Sequence, residues 1–223
     1  MGVVTRLCEG NRRQTSVAPS ILLHARFKNG LSRASKIRRK GRDGGETTLK
    51  EASGCLEVRH SVREITRGTL SFGPITVPCA LGRSGTTRMK REGDGATPLG
   101  AFQLLKIYYR ADRLSRPRTV LPVEAITPLL GWCDDPGHPR YNRPVDLPVS
   151  ASHEKMWRED RLYDIVVVLD CNMHPAVPGR GSAIFFHIAR EDYRPTEGCI
   201  AVSPTHMRLI LTKVHVGVAM RIA

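Results

Sequence analysis

At 223 residues the chain can hold one well-packed domain with room for a tail, but not two full domains. Its 40% apolar and 25% charged residues are those of a soluble globular protein, and no apolar run approaches the roughly 20 residues of a membrane span, so no transmembrane segment is expected. The formal charge of +14 is concentrated at the start, where residues 1–50 carry 12 Lys/Arg against 3 Asp/Glu.

Residues 1–54 read as a basic, disordered segment. From Ser32 to Lys50 the run SRASKIRRKGRDGGETTLK has no apolar period and cannot bury enough surface to offset chain entropy. Such an arm suits an anionic polymer, nucleic acid or acidic glycan, or is a solubilising tail. The stretch Val17 to Leu23 is interrupted by Pro19 and followed by His24 and Arg26, which makes a poor secretion signal.

A domain is expected over residues 55–223. Short β-rich runs punctuated by Gly and Pro follow one another: Leu56 to Ile65, Gly68 to Phe72, Ile75 to Leu81 and Phe102 to Tyr109. Asp164 to Asp170 (DIVVVLD) and Ala183 to His187 (AIFFH) are too short for independent helices and read as buried central strands. Helices are expected over Pro122 to Leu130, Ser152 to Arg161 and Pro204 to Val214, the last with Ser203 as cap and Pro204 in the first position. The fold class is therefore mostly β, sandwich-like or barrel-like, with a few short helices.

The six cysteines (Cys8, Cys55, Cys79, Cys133, Cys171 and Cys199) include no close C-x-x-C pair, which excludes a disulfide-dense scaffold and a zinc ribbon. Cys171 and His174 have a C-x-x-H spacing but lack a second ligand pair, so no metal is expected. The chemistry concentrates instead at His187 and Cys199. A thiol of pKa about 8.5 is only a few per cent thiolate at neutral pH, and a nearby imidazole activates it. A strand, loop and strand hairpin would bring the two together. Gly198 permits a sharp turn beside Cys199, and the amides there can face a developing oxyanion. The Gly93 to Gly100 stretch lacks the Gly-Lys-[Ser/Thr] ending of a phosphate loop and reads as a turn into a strand.

A His at the end of an apolar strand, a loop, and Thr196-Glu197-Gly198-Cys199 resemble the signature of L,D-transpeptidases with a YkuD-like catalytic domain. Upstream, Lys90-Arg91-Glu92-Gly93-Asp94-Gly95-Ala96-Thr97-Pro98-Leu99-Gly100-Ala101-Phe102 is similar to the family's turn ending Thr-Pro-x-Gly-x-Phe. Gly131-Trp132-Cys133-Asp134-Asp135-Pro136 and Tyr141-Asn142-Arg143-Pro144-Val145 look like the subgroup with a long insertion between these motifs. The chain departs from many members in having Glu197 before Gly198 and Ala201 two residues after the cysteine.

The resemblance implies Cys199 as nucleophile, His187 as its base and Gly198 beside the oxyanion. Thr196, Arg190, Trp132 and Tyr141 are candidate substrate contacts, Arg190 and Arg194 because guanidinium groups grip carboxylates. It also implies attack on the peptide bond after the third residue of a peptidoglycan stem tetrapeptide, then transfer to an amine or to water. No cofactor is required, carbapenems should acylate the thiol, and the expected place is the periplasm or cell envelope. A different class of reading is an idle core carried by a polymer-binding arm.

Overall fold

The computed structural model describes residues 54–223, and the expectations for the basic arm fall outside that range, apart from Gly54. The strands in chain order are β1 (Leu56–His60), β2 (Arg67–Phe72), β3 (Ile75–Ala80), β4 (Thr86–Thr87), β5 (Thr97–Pro98), β6 (Gly100–Tyr109), β7 (Val123–Ala125), β8 (Leu130–Cys133), β9 (Pro144–Asp146), β10 (His153–Lys155), β11 (Ile165–Leu169), β12 (Phe185–Ile188), β13 (Ile200–Val202) and β14 (Ala219–Ile222). One helix, α1 (Pro204–Leu211), stands among the described residues. The mostly β reading holds; a few helices become one.

Nine strands form the main sheet in the order β11-β12-β13-β3-β2-β1-β14-β6-β7. The first residues of β6 pair with β14 and the rest with β11, so the sheet closes on itself as a barrel. Alternate residues of β11 serve two cores: Ile165, Val167 and Leu169 pack on one face, Val166 and Val168 on the other. Burial on both faces is why this strand reads as an unbroken apolar run. On the first face Met207, Ile210 and Leu211 of α1 join the cluster. The Ser203 hydroxyl accepts from His206 N at 3.3 Å, the cap that the sequence announces, and the helix ends at Leu211 rather than Val214.

Two expected helices are strands and turns instead. Val123–Ala125 pairs in parallel with Ile107–Tyr109, and Pro128 would clash with the carbonyl four residues earlier in any helix through it. His153–Lys155 pairs with Gly131–Cys133, and β10-β8-β9 make a small separate sheet. In this insertion Met156 and Trp132 are buried in the second core, against the outer face of β11 and β12. Burial of two large side chains outweighs a modest helical preference.

Candidate functional site

β12 and β13 are adjacent and parallel, with Phe186 opposite Ile200, His187 opposite Ala201 and Ile188 opposite Val202. The expected hairpin is therefore wrong in topology: the chain leaves β12, crosses over through Ala189 to Cys199 and re-enters in the same direction. Because side chains alternate across a strand, His187, Ala201 and the preceding Cys199 share a face.

Both side chains line a cleft of about 410 Å³, together with Lys90, Glu154, Arg158, Tyr163, Arg190 and Thr196 among others. Cys199 is 7% exposed and His187 5% exposed. No hydrogen bond joins them. The Cys199 thiol donates to Ala183 O at 3.3 Å and accepts from Phe185 N at 3.3 Å. His187 Nδ1 lies 2.8 Å from Ile188 O. A carbonyl only accepts, so Nδ1 carries the hydrogen and the neutral ring has its lone pair on Nε2. The edge of Tyr163 packs on the imidazole with ring centroids 5.3 Å apart.

Burial dominates the protonation of both groups. It pushes the Cys199 thiol up to about 12, the Phe185 amide and the Lys90 charge pulling the other way. It pulls the His187 imidazole from 6.5 down to about 4, against the favourable bond to Ile188 O. The resting pair is a neutral thiol beside a neutral imidazole.

The approach to Cys199 is fastened at both ends. Thr196 Oγ1 donates to Cys199 O at 2.7 Å and accepts from Gly198 N at 3.2 Å. Thr97, from the upstream motif, has its hydroxyl 3.5 Å from the same carbonyl and accepts from Gly82 N at 2.8 Å. Arg83 N donates to Thr196 O and Thr196 N to Leu81 O. The two sequence motifs thus meet on one turn. At Gly198 φ is 123°, and a Cβ would stand 2.8 Å from the Ala96 carbonyl oxygen. Only glycine fits.

The other candidates separate. Arg190 lines the cleft and pairs loosely with Asp160 at 3.5 Å; Arg194 lines it and pairs with Asp192 at 2.6 Å. Trp132 lies in the core, 2% exposed, donating from Nε1 to Asn142 Oδ1 at 3.0 Å and packed edge-on against Phe185. That position puts Trp132 in the second core rather than in the lining of the cleft. Tyr141 is also buried, its hydroxyl bonded to Glu92, which accepts from Ser182 Oγ at 2.7 Å and itself lines the cleft. Cys171 is buried while His174 is exposed.

Sequence reasoning missed Tyr163, Glu154, Arg158 and Lys90 as cleft residues. Only Lys90 carried a signal, as the first residue of the upstream motif. Arg158 pairs with Glu154 at 2.8 Å and Asp160 at 2.6 Å, and its guanidinium carbon lies 5.0 Å from the centroid of the Tyr163 ring.

The family model described as the YkuD L,D-transpeptidase catalytic domain matches residues 66–222. No curated protein matches the chain. Among solved structures, L,D-transpeptidase 1 of Mycobacterium tuberculosis is 18% identical, with 76% of this chain and 62% of that one covered and a TM-score of 0.33. An L,D-transpeptidase from M. tuberculosis H37Rv is 13% identical, covering 76% and 58% with a TM-score of 0.35. One from Mycobacterium smegmatis is 14% identical, covering 76% and 59% with a TM-score of 0.34. This chain spans about three fifths of the length of those proteins. The family match takes in well over half of the residues, and on that ground the chain belongs to the YkuD family of L,D-transpeptidase catalytic domains.

Proposed function

We propose that the protein is a peptidoglycan L,D-transpeptidase that works through a thioester on Cys199. The observation that carries this reading is one cleft shared by a thiol and an imidazole from adjacent strands, with Nε2 left as the basic nitrogen by the Nδ1 bond to Ile188 O. Rotation of the thiol from Ala183 O toward Nε2 lets His187 take its proton as Cys199 attacks the carbonyl of the third stem residue. The Gly198 amide is engaged by Thr196, so the Cys199 N–H is the donor toward the oxyanion. His187 then returns the proton to the departing amine of the terminal D-residue. An amine of a second stem attacks the thioester, and the thiol is restored.

The cleft carries both signs of charge, with Glu92, Asp134 and Glu154 facing Lys90, Arg158 and Arg190. One oxygen of Asp134 is buried without a partner. A peptide bearing both amine and carboxylate suits such walls. Peptidoglycan as substrate puts the working site in the cell envelope; among the described residues no helix is long and apolar enough to cross a membrane.

Intact-mass spectrometry with a carbapenem tests the reading. Wild type should gain one adduct, Cys199→Ala none, and His187→Ala should react at least about 100-fold more slowly, the lower range for loss of a general base. Folded wild type without an adduct would sink it.

A further inference from the structure

We propose, on the basis of that reading, that Lys90 is the cation that makes negative charge at Cys199 attainable. The lysine precedes β5 and its ammonium comes to the turn before β13, where a Cβ on Gly198 would stand 3.2 Å from Nζ. Its side chain is only 10% exposed and lines the same cleft as Cys199 and His187. Two glycines make room for it. A Cβ at Gly181 would meet Lys90 Cγ at 2.8 Å and Cε at 2.9 Å, and this glycine leads into β12 as Gly198 leads into β13.

Asp94 fixes the ammonium at 2.5 Å. The same carboxylate accepts from Arg91 N at 2.8 Å and Ala96 N at 2.9 Å, so it is held by the turn and holds Lys90 in place. An ammonium has three N–H donors, and Asp94 uses one. The charge is therefore positioned rather than wandering on a flexible stem.

The surroundings explain why such a charge is useful. Burial opposes ionisation of Cys199, and both Glu154 and Cys171 add to the opposition; Glu92, Asp134 and Glu197 also line the cleft, and Tyr163 and His187 are neutral at rest. Lys90 is the cation that acts on the thiol in the favourable direction. Arg158 and Arg190, elsewhere in the cleft, act on His187 by disfavouring its charged form. When Nε2 takes the thiol proton, the charge left on sulfur, and then on the carbonyl oxygen, faces a fixed ammonium. Lys90 itself transfers no proton.

The pH dependence of iodoacetamide alkylation at Cys199 between pH 6 and 9, read by peptide mass spectrometry, tests this in wild type, Lys90→Met and Lys90→Arg. In Lys90→Met the rise of the rate with pH should move by about one pH unit to the alkaline side, the order of effect of removing a nearby opposite charge. Near neutral pH that is roughly a tenfold slower reaction. Lys90→Arg should restore most of the shift. An unmoved profile in Lys90→Met, or the same displacement in Lys90→Arg, would mean that Lys90 only packs the turn, and the proposal would fall. Carbapenem acylation of wild type reports separately on the transpeptidase reading, so the two can fail independently.

Discussion

In the reading proposed above, His187 ties the chemistry of the cleft to the stability of the fold. The imidazole titrates at 6.5 in an unfolded chain and is drawn down to about 4 by burial. Its neutral form is thus favoured by folding, and the associated stability is fully present above about pH 6.5. As pH falls from there toward 4 the unfolded state binds a proton that the native state refuses, and stability is lost, on the order of 3 kcal/mol at about 1.4 kcal/mol per unit. Urea unfolding of wild type and His187→Gln across pH 4 to 7 checks this. The variant should show a flatter profile over that window, and an equally steep one would contradict the burial argument. The sequence singles out this residue for the proposed role, because a His closing an apolar strand before Gly198-Cys199 stands out locally. It could not disclose Tyr163 on the ring's flank or Lys90 beside Gly198, since those contacts depend on pairings between segments far apart in the chain.

At the scale of elements, the turn before β13 is the component most sensitive to small changes. Gly198→Ala places a methyl group against the Ala96 carbonyl at a φ of 123°, where L-residues carry strain of about 1–3 kcal/mol. Carbapenem acylation of this variant is expected to fall at least about tenfold with a Tm lowered by several degrees, both read on the same preparation. Thr196→Val, which keeps the shape and removes both hydroxyl bonds, should give a loss of the same kind, about 1–3 kcal/mol in stability. Strands such as β11 and β12 were legible because burial on both faces leaves an apolar run with no helical length. The β8 to β10 insertion was not: Glu154 and Arg158 sit four apart and pair, as on a helix, yet strand pairing to Gly131–Cys133 decides the conformation. The polar and aromatic loop around Trp132 and Tyr141 reads the same whether it faces a ligand or the core. Here both rings face inward.

For the whole molecule, the sequence separates a segment dense in charge from one dense in strands, and we propose that residues 1–54 and 55–223 are functionally distinct. Residues 1–50 hold 12 Lys/Arg against 3 Asp/Glu, so most of the +14 charge goes with the arm. A chain shortened to residues 54–223 should be acylated by carbapenem within about twofold of the full chain, because it keeps Cys199, His187 and the other described residues of the cleft. Its retention on a polyanionic resin should shift to markedly lower salt. Loss of acylation on truncation would instead make the arm part of the machinery. The closed sheet has a further consequence. β6 spends its two halves on β14 and β11, and in that sheet the strand at the free end, β7, is three residues long. Unpaired backbone is what recruits other chains edge to edge, and among the described residues this barrel offers very little of it, so edge-to-edge growth through the main sheet has to wait for the barrel to open.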